Sequence, residues 1–261
     1  MIGHGYNTNL SKAQGMIPET IELLEIWEAG MSALELKKRV HTTGALSKET
    51  ATRINDIVTR GFAQRFLLSA DTPARWLKEL LNLGISSSAF RQILLIYTAR
   101  HNPIFHDFVT SKYWRLANGA LGEIDTSDAR TFLEEAASSG RIQPRWADSM
   151  MVRVARYLMG TLEDFQLIEK NQSKRRKIRL PVIFPETVRY LACEIHFKGA
   201  SDSLISTHED WGLFGLQPQD AIRELEKAAS SSLMFVQNAG QFVRIEWQPN
   251  SMESALNAIA H

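Results

Sequence analysis

Residues 217–247, QPQDAIRELEKAASSSLMFVQNAGQFVRIEW, contain the pattern that decides the fold class. Gln217-Pro218 can begin a helix, and four apolar residues then recur on one face at helical spacing: Ala221, Ile222, Leu225 and Ala229. The runs 233–237 and 242–247 predict two strands, and Asn238-Ala239-Gly240 between them is typical of a hairpin turn. With helical patterns in the preceding residues 185–214, this order predicts a winged-helix module.

A looser version of the same order occurs earlier in the chain. A short helix around Phe132-Leu133 precedes a long helix that begins near Arg145. The runs 165–168 and 178–183 then predict two strands around a polar, basic tip. Pro181 cannot donate to a strand ladder, so the second strand is expected at an edge. Helices followed by a basic hairpin are typical of a winged helix, with the hairpin as the wing.

The N-terminal residues predict a helix-turn-helix. Pro18 suits the first turn of a helix, Ser32 and Ser47 can cap a second and a third helix, and Gly44 ends the second. A connection of about four residues between the second and third helices fits this motif. The third helix carries an apolar stripe, and the opposite, polar face consists of Lys48, Thr52, Asn55 and Thr59.

Residues 72–123 are rich in aromatic side chains and predict a packed helical scaffold. The expected fold class is therefore mainly α with small β hairpins, in which helix-turn-helix and winged-helix-like modules surround a helical scaffold. We expect three parts: an N-terminal helix-turn-helix-like module (1–70), a helical scaffold with a basic wing-like hairpin (71–183), and a C-terminal winged-helix-like module (184–261).

Charge is segregated along the chain, although the formal net charge is only +1. Residues 32–66 hold seven Lys and Arg against three acids, and residues 165–199 hold eight against three. Residues 200–261 reverse this balance, with three basic residues against eight acids. Because the distribution of charge matters more than its sum, the two basic regions are candidates for contact with a polyanion.

These two regions supply the predicted nucleic-acid-binding residues. A charge run is usually a solvated helix face or hairpin tip, but their positions on a helix-turn-helix and on a wing favour contacts with phosphate. The predicted residues are Lys37, Lys38, Arg39, Lys48, Thr52, Arg53, Lys170, Lys174, Arg175, Arg176, Lys177 and Arg179. In the C-terminal module Asp220, Glu224 and Glu226 oppose DNA binding, so a protein-interaction surface or a purely structural role is favoured there.

No motif in the sequence predicts catalysis, a cofactor or a metal. There is no phosphate-binding loop, and the single cysteine, Cys193, excludes a zinc-finger ligand set. His208-Glu209-Asp210 is the most enzyme-like cluster, but adjacent helical residues do not face each other. We therefore expect a protein that is not an enzyme. The lone cysteine, the lack of a secretion signal and the lack of an apolar segment of about 20 residues predict a cytoplasmic protein with no membrane partner.

Three short stretches resemble the BrxA family: Tyr6-Asn7-Thr8-Asn9-Leu10 before a helix, Ala51-Thr52-Arg53-Ile54 on the third helix, and residues 128–133 before the long helix. The resemblance covers nearly the whole chain. BrxA proteins are small accessory proteins of bacterial BREX phage-exclusion systems. The resemblance implies a helical, DNA-binding protein with winged-helix-like parts, encoded beside a DNA methyltransferase, an ATPase and a phosphatase-like protein. It supplies no catalytic residues.

The leading hypothesis is a non-enzymatic DNA-binding component of a phage-defence complex, with double-stranded DNA as its partner and contacts to other defence proteins possible. A protein-interaction scaffold of the same complex is one alternative, favoured by the acidic C-terminal module. The BrxA family has also been likened to a small RNA-binding antitermination factor, so RNA is a further alternative partner. An enzyme would require perturbed titratable groups in a deep pocket.

Overall fold

The computed structural model describes residues 5–11, 14–68, 71–171, 173–239 and 242–261. The protein is mostly α-helical (62%) and has two small antiparallel sheets of two strands each. This confirms the predicted fold class, mainly α with small β hairpins. Within the described ranges, no helix is both long enough and apolar enough to cross a membrane.

The N-terminal helices begin and end largely where their caps predict. Helix α1 spans Ile17–Ile26 and α2 spans Ala33–Thr43. Ser32 forms a capping box with Glu35, and Gly44, at φ 73°, ends α2 in the left-handed conformation that favours glycine. Helix α3 (Ala51–Asn55) continues through a π-helical segment (Asp56–Phe62) into α4 (Ala63–Phe66).

The third helix begins later than predicted. Its cap is Thr50 rather than Ser47, because the Thr50 hydroxyl accepts a hydrogen bond from the Arg53 N–H at 3.2 Å. The connection, residues 44–50, is therefore longer than the expected turn of about four residues. Leu46 anchors it: the side chain is buried, and its N–H donates to Glu22 on α1 at 2.7 Å.

The middle of the chain continues as helices with two short strands. They are α5 (Thr72–Asn82), α6 (Ser87–His101), α7 (Pro103–Asp107), a second π-helical segment (Phe108–Tyr113), α8 (Trp114–Ala117), β1 (Glu123–Ile124), α9 (Thr126–Ser138), α10 (Asp148–Asp164) and β2 (Arg176–Lys177). The long helix predicted from Arg145 is α10, which begins at Asp148. The aromatic residues of the predicted scaffold are largely buried, among them Phe90, Phe105, Phe108 and Tyr113.

Strand β2 lies between two other segments. On one side it pairs antiparallel with β1, where Glu123 is opposite Lys177. On the other side Ile168 is opposite Ile178, and the Glu169 N–H donates to the Lys177 carbonyl at 2.9 Å. The hairpin differs from the predicted strands 165–168 and 178–183. Gln166, at φ 59°, interrupts the extended backbone just before Ile168. The second strand lies earlier than predicted, at Arg176–Lys177, with Ile178 beside it in an isolated bridge.

A segment before α1 is fixed against the loop between α9 and α10. The Tyr6 hydroxyl donates to Asp107 at 2.6 Å, and Arg141 donates to the Tyr6 oxygen at 2.8 Å and to Asp107 at 2.9 Å. Burial alone would raise the pKa of Asp107, but hydrogen bonds from His106 and Tyr6 and the charge of Arg141 outweigh it and lower that pKa. The BrxA-like stretch at Tyr6 is therefore a structural anchor in this protein.

The C-terminal elements follow the predicted order of helices and hairpin. They are α11 (Pro185–Phe197), α12 (Asp202–Ser206), a 3-10 helix (Glu209–Phe214), α13 (Pro218–Ala228), β3 (Met234–Ala239), β4 (Phe242–Trp247) and α14 (Met252–Ala260). Strands β3 and β4 pair along their whole length, with Val236 opposite Ile245. Gly240 of the predicted turn lies outside the described residues, and α14 is an element that the sequence pattern does not predict.

The chain divides into two compact units. Unit 1 consists of Met1–Ala74 and Tyr97–Pro181, and unit 2 consists of Arg75–Ile96 and Val182–His261. Both basic regions, apart from residues 182–199, belong to unit 1, and the β3–β4 hairpin belongs to unit 2. The predicted division into residues 1–70, 71–183 and 184–261 stays a prediction.

Candidate nucleic-acid interface

Helix α10 is amphipathic, and its outward face carries two arginines. Its inward face consists of seven buried residues: Met151, Val154, Ala155, Leu158, Met159, Thr161 and Leu162. Ser149, Arg153 and Arg156 lie on the opposite side at spacings of i, i+4 and i+7, and all three are exposed. Neither arginine forms an ion pair or hydrogen bond through its side chain within the described ranges. A rigid helix therefore presents two unpaired cations to solvent.

The last turn of the same helix contacts the segment before α1. The Gly15 N–H donates to the Asp164 carboxylate at 3.0 Å. A Cβ on Gly15 would lie 2.5 Å from the Asp164 Cβ, and one on Gly160 would lie 3.0 Å from Gln14 Oε1. Gly15 is therefore required for this close approach, whereas a side chain at position 160 would need only a shift of the flexible end of Gln14. Arg153 and Arg156 precede this contact along α10. The outward face therefore has a packed end, at Gly160 and Asp164, and a free beginning, which contains the two arginines.

Two arginines of the basic run turn back onto their own module. Arg176 Nη1 donates to Glu163 Oε2 of α10 at 2.5 Å. The Arg175 guanidinium lies 3.4 Å from Glu123, 3.7 Å from Asp125 and 3.7 Å from Asp128. These predicted DNA contacts are therefore largely neutralised by acids of the same module, and they fix the position of the hairpin.

Asp125, one of the carboxylates near Arg175, is kept in its ionised form by its surroundings. It caps α9, accepting hydrogen bonds from the N–H groups of Ser127 at 2.7 Å and Asp128 at 3.2 Å. Burial would raise the pKa of Asp125, but hydrogen bonds from Ser127 and Asp128 and the charge of Arg175 outweigh it and lower that pKa. The carboxylate is thus ionised at neutral pH, and the pairing with Arg175 persists.

The other cations of the hairpin project outward. Lys174, Lys177 and Arg179 are exposed, and their side chains form no ion pair with any residue that the structure describes. Lys177 and Arg179 flank the half-buried Ile178, so they lie on the same side of the strand. The side chain of Lys170 is 89% exposed, and its Nζ lies 4.0 Å from Glu163 Oε1, which is a long distance for an ion pair. Three to four cations of the predicted set therefore remain available to a ligand.

In the N-terminal module several predicted contacts are used internally. Lys37 Nζ donates to Asn55 Oδ1 at 2.8 Å, which joins α2 to α3. Arg39 pairs with Glu28 at 2.6 Å and donates to the Ile26 carbonyl at the end of α1 at 3.0 Å. Arg53 is half-buried. The polar face predicted for the third helix is thus tied to its neighbours at Asn55.

Lys38, Lys48 and Thr52 are the exposed members of the N-terminal set. Lys48 stands at the edge of a groove of about 390 Å³ that also contains three acids, and its lining is Pro18, Glu19, Glu22, Leu46, Ser47, Lys48 and Glu49. These carboxylates repel phosphate. The geometry of this module is therefore less favourable for a polyanion than that of α10 and its hairpin.

The predicted residues do not include Arg153 and Arg156, because these two lie outside both dense basic runs. The signal that could have found them is their spacing: they stand three residues apart on the polar face of the helix that immediately precedes the basic hairpin. Within the described ranges, no group of three or more His, Cys, Asp or Glu residues is placed to hold a metal ion.

Comparison with known proteins adds a family and a fold. The model of the BrxA family matches residues 4–194. The crystal structure of an uncharacterized protein from Magnetospirillum magneticum is similar, with a TM-score of 0.57 and 16% sequence identity over 71% of this chain and 91% of that chain. At this identity the likeness shows the fold alone. No curated protein matches the chain. The family match ends within α11, so residues 195–261 lie beyond it.

Proposed function

The chain belongs to the BrxA family of BREX-associated proteins, and from that premise we propose that it is a non-enzymatic, DNA-binding component of a BREX phage-defence system. It contacts the phosphate backbone of cytoplasmic double-stranded DNA through a winged-helix module in unit 1. The observation that carries the proposal is the set of exposed, unpaired cations on the hairpin around β2, beside a helix whose outward face is also basic.

The order of elements supports a winged helix. Helix α8 is followed by β1, then by α9 and α10, and then by two paired segments around the tip at residues 170–175. In a winged helix the last strand lies between the other two, as β2 does here. The second helix of such a motif enters the major groove while the wing lies on the neighbouring backbone.

The charge of the hairpin supports contact with phosphate. Lys174, Lys177 and Arg179 can each neutralise one phosphate and release its counterion, so that together they contribute about −2.7 to the slope of log affinity against log salt. Lys38, Lys48 and Thr52 form a second, weaker contact region in the same unit. Arg175 and Arg176 position the hairpin.

The test is a variant with Lys174→Ala, Lys177→Ala and Arg179→Ala, in gel-shift titrations of a duplex at several salt concentrations. Its affinity should fall at least about tenfold, and its salt slope should become shallower by about 2.7. The matched control is Arg223→Ala, Lys227→Ala and Arg244→Ala in unit 2, which removes the same charge. Equal losses in the two variants, or an unchanged hairpin variant, would contradict the proposal.

A protein-interaction scaffold is the second candidate, and unit 2 provides the reason for it. Its α13 has its cations neutralised by neighbouring acids, and Leu204 (58% exposed) and Phe235 (47% exposed) present apolar surface to solvent. Co-purification with other BREX proteins, together with no retention on DNA at low salt, would favour the scaffold. Stronger binding to RNA than to duplex DNA would favour an RNA partner.

A further inference from the structure

We propose that α10 reads DNA bases in the major groove, and that Arg153 and Arg156 contact guanine edges there. This inference rests on the proposed function, because it assumes that unit 1 binds duplex DNA. It adds a binding role for two residues that lie outside the basic runs, and it names the part of the duplex that they recognise.

The side chains around the arginines leave both of them free. Helix α10 contains three acids, and each is engaged elsewhere: Asp148 with Arg145 at 3.1 Å, Glu163 with Arg176 at 2.5 Å, and Asp164 with the Gly15 N–H at 3.0 Å. No carboxylate of the helix thus neutralises Arg153 or Arg156. An exposed arginine without a partner keeps all its donors available to a ligand.

The helix is also a rigid platform at the right position. Seven buried side chains fix its inner face, and its bond from Glu163 to Arg176 joins its last turn to the base of the hairpin. A reading helix needs such support, because base contacts tolerate little displacement. While Lys174, Lys177 and Arg179 hold the backbone, the free beginning of α10 can enter the groove.

The chemistry of arginine selects guanine. The planar guanidinium donates two parallel hydrogen bonds, and guanine presents two acceptors, O6 and N7, at matching spacing in the major groove. With a spacing of three residues, Arg153 and Arg156 project from the same side of α10 and reach base pairs close together. We therefore expect a preferred site with two nearby guanines.

The experiment begins with selection from duplexes that carry about 20 randomised base pairs, using the full-length protein. The selected duplex and a scrambled duplex of the same composition are then titrated with the wild type and with Arg153→Ala, Arg156→Ala and Arg153→Lys. Each variant should lose about 5-fold to 150-fold in affinity for the selected duplex and little for the scrambled one. The lysine variant tests geometry, because it keeps the charge but not the paired donors.

Replacement of guanine by 7-deazaguanine in the selected duplex gives the sharpest control. Removal of N7 should weaken binding of the wild type, whereas the variant that has lost the arginine contacting that base should show no further loss. Thermal unfolding by circular dichroism checks that each variant folds.

Three results would overturn the inference while leaving the proposed function intact. They are DNA binding without any selected sequence, an equal loss on both duplexes with a salt slope shallower by about 0.9 per arginine, and variants that bind the selected duplex normally. No binding of the wild type to any duplex would overturn the proposed function itself. Tighter binding to double-stranded RNA would also overturn the inference, because the major groove of RNA is too deep and narrow to be read.

Discussion

Helices α10 in unit 1 and α13 in unit 2 each precede a pair of strands, but their outward faces differ. On α13 each cation has an acid one turn before it: Arg223 pairs with Asp220, and Lys227 pairs with Glu224 at 2.7 Å. On α10, Arg153 and Arg156 have no such neighbour. Each helix carries two cations, so the comparison teaches that the two helices differ in the pairing of their cations and not in their number.

The hairpins that follow the two helices differ in what holds them. Strands β3 and β4 pair along six residues each, so a backbone ladder defines that hairpin. Strand β2 pairs over two residues with β1, and ion pairs of Arg175 and Arg176 supplement this short ladder. The hairpin around β2 therefore depends on ion pairs for its position, whereas the β3–β4 hairpin is held by its long ladder and by a hydrogen bond from the Ile245 N–H to the Asp202 carboxylate at 2.8 Å.

The largest expected effects test whether the two helices are equally well anchored. Leu158 of α10 and Leu225 of α13 are both fully buried. Substitution of either by Ala should lower the free energy of unfolding by about 2–5 kcal/mol, through lost burial and the cavity left behind. Urea denaturation followed by circular dichroism measures this. Leu34→Ala, at a side chain that is 63% exposed, is the control with little change. A loss below about 1 kcal/mol at one helix would show unequal anchoring.

The next effect concerns the packed end of α10, which has no counterpart described for α13. Gly15→Ala places a Cβ 2.5 Å from the Asp164 Cβ and should cost about 1–3 kcal/mol of unfolding free energy. Gly5→Ala is the matched control, because its Cβ would make an ordinary contact at 3.6 Å. Equal stability of the two variants would contradict the tight contact between the N-terminal segment and α10.

A smaller effect compares the ion pairs. A double-mutant cycle of Arg176→Ala and Glu163→Ala should give a coupling of about 1 kcal/mol, because both side chains are three-quarters buried. The same cycle with Arg223→Ala and Asp220→Ala on α13 should give about 0.3–0.5 kcal/mol. The reverse order would show that the hairpin in unit 1 does not depend on its ion pairs.

The smallest effect challenges the comparison directly. Asp220→Asn with Glu224→Gln leaves the cations of α13 unpaired, as those of α10 are. If ion pairs keep the cations of α13 from contacting phosphate, affinity for a nonspecific duplex at low salt should rise about twofold to threefold when Arg223 and Lys227 are released. Gel-shift titration measures it, and the control is Glu226→Gln with Glu246→Gln, which removes the same two negative charges from exposed positions of unit 2. No gain over that control would show that position in the fold matters more than pairing.

Local sequence signals predict local structure well in this protein. Capping at Ser32 and the end of α2 at Gly44 follow from residues within a few positions of each other. The apolar face of α13 is also predicted, except that the helix ends at Ala228, which takes the buried position expected for Ala229. The loop before α3 is an exception, because a bond from Leu46 to Glu22 on another helix lengthens it. Tertiary contact overrides the local preference there.

The candidate site is harder to predict from the sequence, because a count of charged residues does not show which of them form ion pairs. Arg175 belongs to the densest basic run, yet folding brings Glu123, Asp125 and Asp128 to it from a distant part of the chain. Arg156 belongs to no dense run, yet the acids of its own helix are occupied by other groups. Strand β1 is also not predictable, because its two residues, which pair with β2, are too few to show the alternation of apolar and polar side chains that indicates a strand.

The close contact at Gly15 and Gly160 has a consequence for engineering. A chimera that exchanges only α10 with that of a relative would replace Gly160 and Asp164, the two residues of the helix that Gln14 and Gly15 approach. The segment around Gln14-Gly15 and the helix 148–164 should therefore be exchanged together. If α10 reads DNA bases as proposed, a change of the recognised sequence would require replacing both pieces together, or changing only residues that precede the contact, such as Arg153 and Arg156.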